Sequence, residues 1–399
     1  MHQHFADIDH WLIEHQAFWR IEPFKAVCSM QGALDDLPAE LVDWLASLTP
    51  EQILNFKSNP HQLSDALTAF VPEIGFWAKA EPSALLTEQT TQINPRLLSG
   101  IPGRKVDQIT AMSSVCLKQE GAHPWLEWCS GKGYLGRVLA SSSQQPVTSL
   151  EYQPQLCLDG QQFADQKQLD MHFVQGDAFS QQAKALCQSQ QHGVALHACG
   201  DLHTTLLSHA AEVGMAALTV APCCYHLTRD ECYQPLSSLG KSSCLQLTKS
   251  ELRIPLQETV TGGERVYRHR HTEMTYRLGF HQLVSELRGD STYLPVPSIK
   301  KSQLSEGFEA FCSWAAEKKS LTLPTGLDFS RYQLQGEHLF WRMEALSLLP
   351  QLFRRPLELW LVLDKALFLI EHGYQVKVGT FCEKATTPRN LIIQARRSV

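Results

Sequence analysis

Residues 125–140 read WLEWCSGKGYLGRVLA, and the order of residue types in them decides the class of fold. Trp125–Cys129 is an apolar run of the length and composition of a short buried strand. Ser130-Gly131-Lys132-Gly133 follows, a turn in which two positions lack side chains. From Tyr134 onward, Leu135, Val138 and Leu139 fall on one face of a helix. A strand, a glycine turn and a helix in that order form the first βα unit of a nucleotide-type pocket. Its ligand lies where the turn's N–H groups and the helix N-terminus face the carboxyl end of the strand.

Downstream the pattern repeats. Apolar segments at Val147–Glu151, Met171–Val174, Val194–His197 and Ala217–Ala221 read as strands, and Pro154–Gln166 and Leu206–Val213 read as helices between them. A helix over Val106–Gln119 precedes the first strand. Alternation at this spacing predicts a parallel, doubly wound sheet. After His226 the rhythm breaks: one extended stretch (Glu251–Pro255), the Arg/His-rich segment ERVYRHRH, and helices over Met274–Leu287 and Ser305–Lys318. It resumes with a helix over Leu357–His372 and strands at Tyr374–Phe381 and Leu391–Arg397. A helix, a strand, a short turn and a last strand describe a reversed hairpin, with the final strand antiparallel. The expected fold is therefore α/β, a Rossmann-like sheet of the class I methyltransferase type, mostly parallel with its last strand antiparallel. Residues 1–100, punctuated by Pro23, Pro38, Pro50 and Pro60 and lacking strand alternation, read as a helical accessory region. Residues 101–399 read as the catalytic domain, with 227–350 inserted in it.

Composition narrows the rest. At 43% hydrophobic and 19% charged, the chain reads as an ordinary soluble domain rather than a disordered one. A formal net charge of −6 argues against a surface that coats nucleic acid globally, though not against a local basic cleft. No apolar run reaches the about 20 residues of a membrane helix. Twelve cysteines with no secretory leader at MHQHFADIDH read as reduced thiols, and the expected location is cytoplasmic. No C-x-x-C pair is present.

Read literally, Gly131-Lys-Gly133-Tyr-Leu-Gly136 is G-x-G-x-x-G, so an NAD(P)- or FAD-dependent oxidoreductase is an alternative. Glu151, at the end of the second strand, suits the ribose hydroxyls of either cofactor class. Two features favour S-adenosyl-L-methionine. Glu127 precedes the turn in an E/D-x-G-x-G-x-G arrangement, with Cys129 in the first glycine's place, and is expected at the methionyl ammonium. A dinucleotide's pyrophosphate would be repelled there. Asp177-Ala178, after the third strand, suits an adenine amino group and ring nitrogen, although Asp177 also fits a plain helix N-cap.

The fourth strand ends in LHACGDL, Leu196–Leu202, and the fifth in APCCYH, Ala221–His226. His197 and Cys199 are expected at the reacting end of the cofactor, and Cys223, Tyr225 and His226 around the acceptor. His226 is the candidate general base, since a neutral imidazole takes a proton near pH 7. The [DN]-P-P-[YF] motif of exocyclic-amine methylation is absent. Adjacent cysteines beside a histidine bring a metal to mind, but a vicinal pair chelates poorly and Cys232 would have to join it. Buried reduced thiols are the expectation, with no metal. Lys132 in the turn is expected near the cofactor, and Arg104, Lys105, Arg389 and Asn390 near the substrate. The basic-aromatic run Arg265–His271 suits stacked bases and phosphates, but a solvated helix face explains it more simply.

Together these motifs resemble a methyltransferase family: the ribosomal-RNA-adenine-dimethylase-domain-like proteins, the methyltransferase domain of glutathione S-transferase C-terminal-domain-containing proteins, and more distantly the tRNA ribose 2′-O-methyltransferases of the CCxH type. The resemblance rests on Glu127–Gly133, Leu196–Leu202 and Cys223–His226. It continues through Arg104-Lys105, Tyr293-Leu-Pro-Val-Pro-Ser298 and Pro388-Arg-Asn390. It covers roughly residues 100 to 399. Tyr225 departs from the tRNA enzymes' Cys-Cys-His-His-like end, and their zinc-finger segments are missing. The resemblance implies an S-adenosylmethionine site and an RNA substrate, tRNA or rRNA. A methyltransferase acting on a protein or a small molecule is the alternative within that class.

Overall fold

A seven-stranded sheet carries the site. Its strands are β1 (Trp125–Trp128), β2 (Val147–Glu151), β3 (Met171–Gln175), β4 (His192–Cys199), β5 (Ala217–Cys223), β6 (Tyr374–Thr380) and β7 (Leu391–Arg397), in the order β3-β2-β1-β4-β5-β7-β6. The computed structural model describes every residue except 30, 31, 33, 76–84, 87–90, 120, 258–263 and 399, and for His197 the backbone alone. Strands β1 to β5 run parallel to one another, whereas β7 runs antiparallel to both β5 and β6. The mostly parallel sheet with a reversed end is thus as expected. Strand order reverses between β1 and β4, and the carboxyl ends on either side of that point are where such a sheet opens a crevice.

Burial explains the pattern. All seven residues of β5 are buried, which only a strand covered on both faces requires. The helix Tyr134–Ser143 buries Leu135, Val138 and Leu139 against the sheet, the face its spacing predicts. The Glu251–Pro255 stretch is not extended: Glu251–Leu256 is a 3₁₀ helix, into which Pro255 fits because its missing N–H is tolerated in a short turn.

The chain divides into two compact units. One holds residues 1–14, 81–260 and 354–399, and the other 15–80 and 261–353. This differs from the expected boundaries: the first helix belongs with the sheet, and residues 15–80 share a unit with the insertion, which starts at 261 rather than 227. The stretch from 261 has a hydrophobic cluster of its own, from Tyr276 and Phe280 to Phe311 and Tyr332. In the second unit, the helices Glu264–Arg288 and Phe329–Leu346 cross where a Cβ at Gly336 would come within 2.3 Å of the Thr275 carbonyl. Buried Glu344 accepts from Arg270 at 2.6 Å and also pairs with Lys57, while His271 pairs with Glu337 at 2.8 Å. Arg270 and His271 are therefore spent on contacts within this unit, whereas Arg265 and Arg268 are exposed, as on a solvated helix face.

Candidate active site

The turn after β1 is shaped by left-handed backbone. Cys129 has φ 56°, the conformation its place in the glycine pattern implies, and Gly131 and Gly133 have φ 60° and 68°. The glycines differ in what surrounds them. A Cβ on Gly133 would lie 2.4 Å from Phe173 Cζ, and one on Gly136 2.5 Å from Glu127 Oε2, so both close the turn onto the sheet. A Cβ on Gly131 meets nothing within 4 Å. Gly131 faces the open side of the turn, and its N–H donates to Glu151 Oε2 at 2.9 Å.

Glu151 stands at the end of β2, and its other oxygen accepts from the Gln153 N–H at 2.9 Å. An ionised carboxylate has about four acceptor positions, so two remain for hydroxyl donors. Asp177, after β3, is exposed, and its Oδ1 accepts from the Phe179 N–H at 3.0 Å, a local turn rather than a helix cap. Ala178 beside it is buried. Two carboxylates at neighbouring strand ends, flanking a side-chain-free turn, suit a ligand with vicinal hydroxyls and an amino-bearing ring. Tyr152, 71% exposed and next to Glu151, adds an aromatic face that the sequence reading missed. An aromatic directly after a strand-end carboxylate is the signal that was available.

Glu127 does something other than expected. It is 4% exposed; Oε1 accepts from the Gly136 N–H at 3.1 Å and Oε2 from the Ser149 hydroxyl at 2.8 Å. Burial pushes its carboxyl up to about 7, against the pull of Ser149 and Gly136. Each of its oxygens is bonded within the protein, and it anchors the turn from below. Lys132 pairs with Asp159 at 2.8 Å, and Lys105 lies over the Tyr134 ring at 4.8 Å. Arg104 is exposed beside it.

The other half of the site is the end of β4 and the turn after β5. A register shift between Leu196 and Cys199 brings Cys199 opposite Cys223. Gly200, φ 55°, lets the chain pass Leu227: a Cβ there would sit 2.0 Å from its carbonyl oxygen. Asp201 accepts from the Arg229 N–H at 2.7 Å and the Thr228 hydroxyl at 3.3 Å, fastening the loop after β5 to the start of the helix after β4. The His197 side chain lies outside the described residues.

Tyr225 is a correction. It is 2% exposed, its hydroxyl donates to the Pro222 carbonyl at 3.4 Å, and burial raises it far above the usual phenol range. It is a core residue, because the turn rotates it inward against His203. Asn390 is another. At 2% exposed, it donates to the Cys382 carbonyl at 2.7 Å and accepts from Arg355 at 2.9 Å, so its amide braces the β6–β7 turn. Cys223 is buried, and burial pushes the Cys129 thiol up to about 12.

His226 is half-buried, and its Nδ1 has no hydrogen-bond partner among the described residues. Burial lowers its pKa, and the positive charges of Arg253 and Arg389 lower it further against the pull of Cys224. The imidazole is therefore neutral at pH 7, with cations around it. Arg389 Nε is likewise buried without a partner among the described residues. Arg253 comes from the 3₁₀ segment Glu251–Leu256, whose sequence reads as extended and points to no site residue. A separate concavity of about 680 Å³, lined by Gln119, His123, Trp125 and Ser143, lies at the opposite ends of the strands and contains none of these groups.

Residues 104–231 match the family model described as a methyltransferase domain. No curated protein matches the chain. Among solved structures, it is similar to Aeropyrum pernix fibrillarin with natively bound S-adenosyl-L-methionine, at 12% identity and a TM-score of 0.25, over 28% of this chain and 52% of that one. It is also similar to magnesium protoporphyrin IX methyltransferase from Synechocystis PCC 6803 with bound cofactor, at 12% identity and a TM-score of 0.26, over 40% and 73%. A third is a SAM-dependent methyltransferase from Aquifex aeolicus, at 8% identity and 0.25, over 32% and 72%. The chain spans about half the length of the first of these. The turn, the strand-end carboxylates and the neutral histidine all lie within the residues that the family model matches.

Proposed function

We propose that the chain is an S-adenosylmethionine-dependent methyltransferase that acts on RNA, with His226 as general base. One observation carries the cofactor assignment. Glu151 binds the N–H of Gly131 on the open side of the glycine turn, so one carboxylate both sets the turn and offers acceptors to a sugar. Asp177 with the Ala178 backbone would hold the purine, and the exposed Tyr152 would cover it. When bound, the cofactor supplies a methyl group already activated on sulfur.

The protein's part is positioning and proton removal. Gly131 keeps the turn clear and Glu127 holds it rigid from beneath. Asp201 keeps the loop bearing His226 against the end of β4. His226, neutral at pH 7, takes the proton from the acceptor hydroxyl or amine. The support for RNA lies in the charges around that imidazole: Arg253 and Arg389 both act on it, within a chain whose net charge is −6. Such a local reversal of sign suits an acceptor that brings its own phosphates. The likeness of the LHACGDL and CCYH segments to RNA-modifying methyltransferases points the same way.

The test is transfer of a tritiated methyl group from S-adenosylmethionine into fractionated RNA and protein from cells lacking this chain. Label in a modified nucleoside is expected. Label confined to protein would overturn the acceptor. Measurable S-adenosylhomocysteine binding without any transfer would overturn the activity.

A further inference from the structure

We infer that Cys199, Cys223 and Cys224 form a three-thiolate binding site for a single zinc ion at the carboxyl ends of β4 and β5. The three Sγ atoms lie within 4.8 Å of one another, and those of Cys199 and Cys223 are 3.7 Å apart. Zinc–thiolate bonds of about 2.3 Å in a tetrahedron place two sulfurs about 3.8 Å apart, so that pair already spans one edge.

Two local irregularities bring these residues together, and neither is needed to continue the sheet. Along an extended strand, adjacent side chains point to opposite faces, which is why a vicinal cysteine pair ordinarily fails as a chelate. Cys224 escapes this through a left-handed backbone, φ 48°, a conformation unfavourable for any residue but glycine and at home in functional sites. The register shift in β4 then delivers Cys199 opposite Cys223 as the third ligand. Cys232 takes no part: among the described residues the converging sulfurs are those of Cys199, Cys223 and Cys224.

Binding would release the thiol protons to solvent and leave three thiolates on a dication, one net negative charge. Arg389, whose charge acts on both Cys199 and Cys224, offsets it. Three protein ligands leave the fourth position of the tetrahedron to water or to an acceptor atom, the arrangement of a reactive rather than a closed structural zinc. The site requires neither S-adenosylmethionine nor RNA, so its test is separate from that of the preceding reading.

The full chain, prepared with its thiols reduced, is assayed for metal by mass spectrometry and then titrated with cobalt, whose thiolate charge-transfer and tetrahedral ligand-field bands report the donor set. One zinc per chain and a three-sulfur cobalt spectrum are expected. Cys199→Ser and Cys224→Ser should each weaken zinc binding at least about tenfold, while Cys232→Ser and His226→Ala leave it unchanged. Absence of the cobalt–thiolate band in the unaltered, reduced chain would overturn the site. So would equal loss of metal in Cys232→Ser, or a Cys199–Cys223 disulfide in place of bound metal. Because the spectrum of the unaltered chain decides, a serine variant that fails to fold does not rescue the proposal.

Discussion

The turns after β1 and β5 both contain a cysteine in the left-handed conformation, Cys129 and Cys224, yet they are built to opposite ends. The first strips side chains away. Around Cys129 come Gly131 and Gly133, and the groups that meet a ligand are backbone N–H, open space and the carboxylate of Glu151. The second crowds side chains in: two sulfurs beside Cys224, then His226, with Arg389 and Arg253 acting on it. On the function proposed above, one turn would hold a ligand by shape and the other present reactive groups, with the same left-handed backbone in both. Holding and reacting would then fall to separate strand ends, so substitutions should separate them as well.

The largest effect should come from splitting the two functions. His226→Ala should lower kcat by about a hundredfold or more while leaving S-adenosylhomocysteine affinity unchanged. Glu151→Ala should do the reverse, weakening that affinity at least about tenfold through lost charge-assisted hydrogen bonds. Calorimetry and methyl-transfer kinetics on the pair decide it, and loss of affinity in both variants would merge the two turns into one functional unit. In unaltered protein, the His226 dependence should appear as an acid limb: transfer falls as pH drops through a pKa below 6.5, where the imidazole becomes protonated.

A second substitution probes how the first turn is supported. Glu127→Ala leaves the Gly136 N–H and the Ser149 hydroxyl buried without an acceptor and should cost about 3 kcal/mol in urea unfolding. Glu127→Gln keeps an acceptor for Gly136 and should cost less than about 1 kcal/mol. An equal cost for both would mean that charge, not hydrogen bonding, holds the turn.

The smallest effect is a pH dependence. His192 and His203 are fully buried, and burial lowers both to about 3 from 6.5, so below pH 6.5 the unfolded chain binds two protons that the folded one refuses. Glu127, raised from 4.5 to about 7, has the opposite sign: between those values the folded chain holds the extra proton. These three groups together leave one proton in favour of the unfolded state between pH 4.5 and 6.5, and the imidazoles of His209, His226 and His281, also lowered by burial, act in the same direction. Stability should therefore rise with pH across that window by at least about 1.4 kcal/mol per unit. In Glu127→Gln the opposing group is gone, and the slope should steepen.

What could be read from the sequence follows the same division. The β1 turn was legible because glycine spacing and a following amphipathic helix are local signals, and Glu151 and Asp177 take their places from strand ends. The direction of a strand-end carboxylate is not local. Glu127 turns inward because Ser149 on the neighbouring strand supplies a donor, and only the pairing of β1 with β2 shows this. The second turn was legible as a motif but not as an arrangement. Tyr225 looks like a lining residue until the turn rotates it into the core, and Cys199 joins Cys223 only once β4 lies beside β5 with its register shifted. Asn390 likewise looks like a substrate contact until Arg355, 35 residues earlier, is found against it. The two-unit division needed tertiary packing, since residues 15–80 and 261–353 each read plainly as helical.

The place of β7 has a consequence for how the molecule is made. The strand that follows all the others in this sequence, β7, slots between β5 and β6 with Ile393 paired to Val220, so it is an interior strand of the sheet rather than its margin. Until it arrives, the flank of β5, buried along its whole length in the finished protein, stays open to other chains. The helix beginning at Leu348 imposes a similar delay through Asp364, which gathers Tyr233, Leu236 and Ser237 from about 130 residues upstream. The nascent chain therefore cannot mature from front to back. Pairings this distant in sequence form late in folding, and a chain in which β7 has not yet paired carries an open, association-prone flank on β5.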